Sequence, residues 1–334
     1  MDEPKRIVVI GASAGGLKAV TELVNNFPGK EEAAVFLVLH VAKHSMGEVI
    51  AKHIQKHTSF NCEIARDNEK IRAGNFYIAA PDHHMILKKD RIVVNNGPRE
   101  NRWRPSIDVL FRSAAVAFNS KVIGIILSGL LDDGTSGMAA IKKSGGICIV
   151  QEPMEAEFAD MPVNVLNNVD VDYRVPLSDM GYVLQDLFSK PALPEAEVPR
   201  DIRIEAGITE RMSSSMEDLA SIATHSVFTC PDCGGGLWKI NDEKINRYRC
   251  HTGHVFTEKV MLQMQSESIE ETLWVAIRML EERRHLLLSI DPRLSGTPDA
   301  PEDSGRRSRA EQLQVHIERL KAVLQSISIN EPND

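Results

Sequence analysis

The segment Ile7-Val8-Val9-Ile10-Gly11-Ala12-Ser13-Ala14-Gly15-Gly16 joins four consecutive β-favouring apolar residues to a turn of small residues. Because residues 17–27 then follow a helical pattern, the segment predicts a buried strand, a sharp turn and a helix. Gly11, Ser13 and Gly15 match G-x-S-x-G, in which glycines let the chain turn tightly enough to expose a serine hydroxyl at a strand end. Ser13 is therefore a candidate nucleophile.

The same turn has a second interpretation. A glycine-rich connection between a strand and a helix can cradle a phosphate, or simply pack closely against its neighbours. A dinucleotide-binding fingerprint fits less well, because it needs a glycine where Ser13 stands. A nucleotide-binding protein is thus an alternative hypothesis, and it predicts that nucleotides raise the melting temperature.

The composition is that of an ordinary globular protein. The 334 residues are 43% hydrophobic and 26% charged, enough for one large core and a smaller module. No secretory signal and no apolar run of roughly 18 residues is visible, so we expect no membrane insertion. The net charge of -8, with its acidic excess in the C-terminal half, disfavours nucleic acid as a partner. We expect a cytoplasmic protein with reduced cysteines.

Further apolar runs alternate with helical segments along the first 190 residues. Buried strands are predicted at residues 33–40, 122–129 and 147–150, and helices at residues 105–118, 138–144 and 177–188. This alternation is typical of βαβ units. The predicted fold class is α/β, with a doubly wound, mostly parallel sheet.

Three side chains of complementary chemistry follow predicted strands, namely Ser13, His40 and Asp133. The carboxyl ends of parallel strands meet at one edge of a sheet, where ligands and catalytic groups gather. A serine nucleophile needs a base, and the base needs a carboxylate to hold its tautomer. The sequence therefore predicts a catalytic triad. The alternatives are a packed core histidine for His40, a turn or cap residue for Asp133, and Asp132 in the place of Asp133.

Four sequence blocks, in this order, resemble the catalytic domain of the CheB family of chemotaxis methylesterases. They are residues 10–16, Arg104-Pro105-Ser106-Ile107-Asp108-Val109-Leu110-Phe111, residues 127–138, and Met161-Pro162. The resemblance covers about residues 4–190. It implies a serine carboxylic-ester hydrolase with Ser13 as nucleophile, His40 as base and Asp133 as the orienting carboxylate.

The resemblance also implies a substrate. Members of the family hydrolyse glutamate methyl esters on the cytoplasmic helices of methyl-accepting chemotaxis receptors and release methanol, with glutamine deamidation as a side activity. No cofactor is expected for the chemistry. The backbone N–H groups of Ala14 and Leu130 follow strand ends beside the serine, so we expect them to bind the oxyanion.

The sequence departs from the family pattern at several places. The family usually carries an N-terminal receiver domain, whereas the resemblance begins near residue 4, so we expect no phosphorylation switch. Ala14 replaces a threonine, and Leu130-Leu131-Asp132 replaces Met-Gly-Asn. Because Asp132 adjoins Asp133, we expect one pKa of the pair to be raised.

The C-terminal region carries a cysteine and histidine pattern. We divide it into an acidic, proline-containing linker at residues 191–222, a zinc-ribbon-like module at 223–260 and an amphipathic helical hairpin at 261–330. Cys230, Cys233 and Cys250 have the spacing of a structural zinc site, with His254 preferred to His251 because His251 adjoins Cys250. A redox C-x-x-C is disfavoured, since no thioredoxin-like βαβ unit surrounds it.

Two apolar stripes predict the helices of the hairpin, with a linker at residues 291–309 between them. The stripes comprise Ile269, Leu273, Ala276, Ile277, Leu280 and Leu287, and then Leu313, Ile317, Leu320, Val323, Leu324 and Ile327. A lone hairpin buries little surface, so docking of a signalling partner or self-association is an alternative use.

A second function hypothesis is a catalytically idle scaffold that acts through the zinc ribbon and helices. A serine-directed probe distinguishes it, since only the enzyme is labelled at Ser13.

Overall fold

The computed structural model describes residues 3–28, 30, 32–43, 46–191, 193–241, 244–289 and 301–329, apart from the side chains of residues 301–304 and 328–329. The chain divides into two compact units, Met1–Val260 and Met261–Asp334. In the described part, no helix is apolar over a length that would cross a membrane.

A seven-stranded parallel sheet forms the centre of the first unit. Along the chain the strands are β1 (Arg6–Ala12), β2 (Ala33–Leu39), β3 (Asn61–Ile64), β4 (Asn75–Ile78), β5 (His84–Leu87), β6 (Ile92–Asn95), β7 (Val122–Ile126), β8 (Ile147–Gln151) and β9 (Tyr173–Val175). The sheet order is β3-β4-β2-β1-β7-β8-β9, while β5 and β6 form a separate hairpin. Every neighbouring pair in the large sheet is parallel, which confirms the predicted fold class.

Helices cover both faces of this sheet. They are α1 (Gly16–Asn25), α2 (Gly47–Gln55), α3 (Ile107–Phe118), α4 (Thr135–Lys143), α5 (Asp160–Asn168) and α6 (Leu177–Ser189). Ile7 and Val9 of β1 pack in one core with α3, α4 and α5, whereas Val8 and Ile10 pack in the other with α1, α2 and α6. Burial on both faces explains why the central strands are continuous apolar runs.

A second, antiparallel sheet contains the cysteine and histidine pattern. Its strands follow chain order and are β10 (Ala223–Thr229), β11 (Gly236–Ile240), β12 (Arg247–Cys250) and β13 (Val255–Thr257). We call these four strands, residues 223–257, the ribbon.

The prediction of a linker over residues 191–222 is wrong for much of its length, because two helices lie there. They are α7 (Arg200–Arg211) and α8 (Met216–Ile222). Ile208 of α7 packs with Leu219, Ile222 and Ile240 in a small core that joins these helices to the ribbon. The linker prediction failed because this stretch contains few apolar residues at helical spacing among many charged residues and prolines.

The second unit contains most of α9 (Glu258–Ser289) and all of α10 (Pro301–Ile329). Residues 301–309 of the predicted linker are therefore helical, since proline is tolerated in a first helical turn, and residues 291–300 lie outside the described residues. Ile277, Ile317 and Leu324 form a buried cluster between the two helices. Two members of the predicted stripes are exposed instead, since Ile269 and Val323 are 50% and 45% exposed.

The buried side chain of Ile208 tests whether α7 contributes to the fold. Because Ile208 is only 1% exposed, we expect Ile208→Ala to reduce the free energy of unfolding by about 2–4 kcal/mol in denaturant titrations. Leu193→Ala is the matched control, since Leu193 is 53% exposed and its truncation is expected to change stability by less than about 0.5 kcal/mol. Equal effects of the two changes would contradict a structural role for α7.

Candidate active site

Three adjacent strands position the candidate catalytic residues. β1 lies at the centre of the sheet, with β2 on one side and β7 on the other. After β1, the chain adds β2, β3 and β4 on one side of it, and then adds β7, β8 and β9 on the other side. The carboxyl ends of β1, β2 and β7 therefore lie at a topological switch point, where ligands bind in open parallel sheets. Ser13 follows β1 directly, His40 follows β2, and Asp133 lies in the turn between β7 and α4.

The three side chains form a continuous chain of hydrogen bonds. Ser13 Oγ lies 3.2 Å from His40 Nδ1, and His40 Nε2 lies 2.9 Å from Asp133 Oδ2. The side chains of His40 and Asp133 are almost fully buried, while Ser13 is partly exposed. With Nε2 carrying the proton toward Asp133, Nδ1 is free to accept the serine proton.

The turn after β1 holds Ser13 at the rim of the sheet. The Ser13 N–H donates to the Ser128 carbonyl at 3.0 Å, and the Gly16 N–H donates to the Ser13 carbonyl at 2.8 Å. Gly15 has a φ of 70°, and a Cβ there would lie 2.8 Å from the Ser128 hydroxyl. Glycine at this position therefore permits both the backbone conformation and the close packing of the turn.

Asp133 accepts hydrogen bonds from several segments of the chain. Besides His40, the donors are the Ile107 N–H at 2.7 Å, the Ser106 hydroxyl at 2.9 Å and the Asn101 side-chain amide at 3.2 Å. Burial on its own would raise the pKa of Asp133, but the hydrogen bonds from His40, Ile107 and Ser106 hold that pKa below its ordinary value. Asp133 is therefore ionised at neutral pH.

Two further carboxyl groups lie close to Asp133. Burial and the charge of Asp133 raise the pKa of Asp108 well above its ordinary value. Burial also raises the pKa of Asp132, with a smaller contribution from Asp133, in the direction that the sequence predicts for adjacent carboxyls. Asp132 is not the partner of His40, and its Oδ1 has no hydrogen-bond partner among the described residues.

Sequence reasoning missed two side chains of this site. The Trp103 ring stacks on the His40 ring, with centroids 3.9 Å apart and an interplanar angle of 7°. The Asn101 amide contacts both Asp133 and Asp108. Neither residue follows a sheet strand, so the position of strand ends carried no signal for them.

Two N–H groups are predicted to bind an oxyanion: that of Ala14, which follows the serine, and that of Leu130, which follows Gly129, where a Cβ would lie 2.9 Å from Ser13 Cβ. In the described part of the chain, the N–H groups of Ala14 and Leu130 donate to no other protein group. By contrast, the Ser13 N–H and the Gly129 N–H are already used, the latter by the Phe158 carbonyl at 3.0 Å. Ala14 and Leu130 therefore keep free donors at this edge of the sheet.

The four predicted zinc ligands converge in the ribbon. Ligand atoms of Cys230, Cys233, Cys250 and His254 all lie within 4.8 Å of one another. Cys233 Sγ is 3.7 Å from Cys250 Sγ, and His254 Nδ1 is 3.6 Å from Cys250 Sγ. The structure thus places His254, rather than its neighbour His251, among the cysteines.

Comparison with known proteins identifies the family. The model of the CheB methylesterase family matches residues 8–184. A Leptospira interrogans protein named "Putative protein-glutamate methylesterase/protein-glutamine glutaminase" is 36% identical over 175 residues, which cover 52% of this chain and 90% of that protein. The protein-glutamate methylesterase/protein-glutamine glutaminase of Trichodesmium erythraeum is 34% identical over 183 residues, 52% of this chain and 51% of that protein.

A solved structure shows the same fold. The crystal structure of the Thermotoga maritima CheB methylesterase catalytic domain aligns with a TM-score of 0.53 and 28% sequence identity, covering 56% of this chain and all of that chain. The alignment agrees with the parallel sheet described above. The chain therefore belongs to the CheB methylesterase family.

Proposed function

We propose that this chain is a protein-glutamate methylesterase that works through Ser13, His40 and Asp133. The proposal is carried by the chain of hydrogen bonds from the Ser13 hydroxyl through the His40 imidazole to the buried Asp133 carboxylate. A serine, a base and an ionised carboxylate in this order are what acyl transfer requires. The family membership and the names of the relatives support the same activity.

The geometry suggests how each group acts. Ser13 Oγ attacks the ester carbonyl carbon while His40 Nδ1 takes the hydroxyl proton, and Asp133 stabilises the imidazolium through Nε2. The oxyanion accepts hydrogen bonds from the N–H groups of Ala14 and Leu130. When the tetrahedral intermediate collapses, His40 protonates the departing methoxide and methanol leaves. Water then attacks the acyl-enzyme by the same route and restores the Ser13 hydroxyl and a free glutamate.

Glutamate methyl esters on the cytoplasmic helices of chemotaxis receptors are the substrate that we infer. The relatives named above are also called glutaminases, and the same residues would hydrolyse a glutamine side chain with ammonia as the leaving group. From this substrate we infer a cytoplasmic location, where thiols such as the buried Cys148 stay reduced.

We also propose that Cys230, Cys233, Cys250 and His254 hold a structural zinc ion. Tetrahedral zinc, with bonds of about 2.0–2.3 Å, sets its ligand atoms roughly 3.3–3.8 Å apart. Three pairs of ligand atoms match this range, since His254 Nδ1 lies 3.8 Å from Cys230 Sγ and 3.6 Å from Cys250 Sγ, and Cys233 Sγ lies 3.7 Å from Cys250 Sγ. Asp232 Oδ2 lies 3.8 Å from His254 Nε2, on the side of the ring away from the cysteines, where carboxylates commonly orient a ligating histidine. Because the protein supplies all four ligands, we infer that the ion stabilises the ribbon and takes no part in the chemistry.

Replacement of the nucleophile is the first test. We expect Ser13→Ala to lower methanol release from methyl-labelled receptor by at least about a thousandfold, because no other group can form the acyl-enzyme. Ser178→Ala, which removes an exposed hydroxyl from α6, is expected to keep wild-type turnover. A fluorophosphonate probe is expected to label the wild type at Ser13. Full turnover by Ser13→Ala would refute the assignment, and an unlabelled, inactive wild type would favour the scaffold hypothesis.

Close packing beside the nucleophile gives a second test. A Cβ at Gly129 would overlap Met161 Sδ and lie 2.9 Å from Ser13 Cβ. We expect Gly129→Ala to displace the serine and lower kcat roughly tenfold or more in the methanol assay. Gly305→Ala is the control, since a Cβ there meets no atom within 4 Å. Unchanged kcat in Gly129→Ala would show that Ser13 tolerates displacement and would contradict the proposed constraint.

Metal analysis tests the zinc site. We expect about one zinc per chain in the wild type, and less than half an equivalent in Cys233→Ser, because three ligands hold zinc more weakly than four. Cys62 lies on β3, outside the cluster, so Cys62→Ser is expected to retain the metal. Less than half an equivalent in the wild type, with no fall in melting temperature on chelation, would contradict the site.

A further inference from the structure

We propose that Asn101 is a positioning residue of the esterase and that the ribbon holds it in place. The metal-binding part of the chain would then support the geometry of the triad from a distance. This inference rests on the function proposed above. It concerns the segment Glu100–Trp103, which we call the 100–103 hairpin.

The backbone of the 100–103 hairpin forms a tight turn closed by two hydrogen bonds. The Trp103 N–H donates to the Glu100 carbonyl at 2.9 Å, and the Glu100 N–H donates to the Trp103 carbonyl at 3.3 Å. The two central residues, Asn101 and Arg102, have φ values of 51° and 71°. Two successive left-handed residues are typical of a type I′ turn, and asparagine tolerates this conformation better than most side chains.

The hairpin contacts the triad at two points. The Asn101 amide nitrogen donates to Asp133 Oδ1 at 3.2 Å and to Asp108 Oδ2 at 3.0 Å, so it bridges two buried carboxyl groups. On the same hairpin, Trp103 stacks on the face of the His40 ring. Asn101 therefore orients the carboxylate, while Trp103 restricts the imidazole that the carboxylate holds.

The ribbon holds the other side of Asn101. The Asn101 N–H donates to the Val255 carbonyl at 2.8 Å, and the Val255 N–H donates to the Arg99 carbonyl at 3.3 Å. The Thr257 N–H donates to the oxygen of the Asn101 side-chain amide at 3.2 Å. Strand β13 thus pairs with the hairpin, and a single amide side chain joins the ribbon to Asp133.

Buried charges tie the hairpin to the ribbon more firmly. Glu100 accepts hydrogen bonds from Arg112 of α3 at 2.7 Å and from Arg249 of the ribbon at 3.0 Å. Glu205 of α7 accepts from Arg247 at 2.7 Å and from Arg249 at 2.8 Å. All five side chains are buried, so separating the hairpin from the ribbon would leave buried charges unpaired.

The proposed metal ligands lie next to these contacts. Cys250 ends β12 directly after Arg249, and His254 directly precedes Val255 of β13. Within the turn between them, a Cβ at Gly253 would lie 3.2 Å from the Pro98 ring, just before the hairpin. A metal bound by Cys250 and His254 would therefore fix the turn that sets the position of Val255 and, through it, of Asn101.

Substitution of Asn101 tests its positioning role. Asn101→Asp keeps the shape but replaces the donor with a carboxyl group between two others, so we expect kcat to fall roughly ten- to a hundredfold. We expect KM to change less than about twofold, since Asn101 orients Asp133 rather than the substrate. Asn96→Asp makes the same chemical change at an exposed position and is expected to match the wild type. Unchanged kcat in Asn101→Asp, or equal losses in both variants, would overturn the proposal.

Hydrogen exchange tests the link to the metal without relying on activity. In the full-length wild type, we expect chelation of zinc to speed amide exchange of peptides covering residues 98–108 by a factor on the order of ten, while β1 and β8 stay protected. Cys233→Ser should reproduce the effect, and Cys62→Ser should not. Faster exchange confined to residues 228–257, or spread equally over β1 and β8, would overturn the link.

The Ser13→Ala result separates the two levels of inference. Full turnover by Ser13→Ala would refute the proposed function whatever Asn101 does. An inactive Ser13→Ala together with a fully active Asn101→Asp would refute only the positioning role.

Discussion

A buried, ionised carboxylate is the constraint around which this active site is assembled. Asp133 is removed from water, so its charge must be compensated by donors that the protein supplies. The structure brings these donors from separate parts of the chain: the imidazole after β2, the first turn of α3 and the hairpin that precedes that helix. The hydrogen bond from His40 helps to stabilise the buried charge of Asp133, and it also fixes the orientation of the His40 ring.

The surroundings of Asp133 make it easier to ionise than the two carboxyl groups that lie near it. Asp108 and Asp132 lie close by, and burial together with the charge of Asp133 raises the pKa of both. Asp108 instead serves as an acceptor for the N–H groups of Gly134 and Gly137 at the start of α4. Asp108 thereby holds the turn that carries Asp133.

The turn after β1 bears on the nucleotide hypothesis. A phosphate cradle needs backbone N–H groups that point outward and are unused. Here the Ser13 N–H is bonded to the Ser128 carbonyl and the Gly16 N–H to the Ser13 carbonyl. Two donors of the turn are thus occupied within the protein, and the N–H of Ala14, directly after the serine, stays free among the described residues. This favours Ser13 as an exposed hydroxyl at a tight turn over a phosphate cradle.

Much of the fold was predictable because its strands are buried on both faces and therefore appear as continuous apolar runs. The convergence of Ser13, His40 and Asp133 followed from the same fact, since parallel strands end at one edge. Helix α7 was missed because its buried face consists of few apolar residues and includes a charged one, Glu205. Asn101 was missed because its position depends on hydrogen bonds to β13, which lies far away in the sequence, and Trp103 because it is placed by its pairing with Glu100 in the same short hairpin.

The buried cluster of two glutamates and three arginines has a consequence for how this chain can be divided. A shortened protein ending near residue 190 would retain Glu100 and Arg112 but lose Glu205, Arg247 and Arg249, exposing one carboxylate-guanidinium pair of the original cluster to solvent. Such a fragment would keep every member of the triad and would lack the hydrogen bonds from the ribbon to Glu100 and Asn101. The compact unit that contains the triad extends to Val260, so in this chain the ribbon belongs to the same unit as the triad.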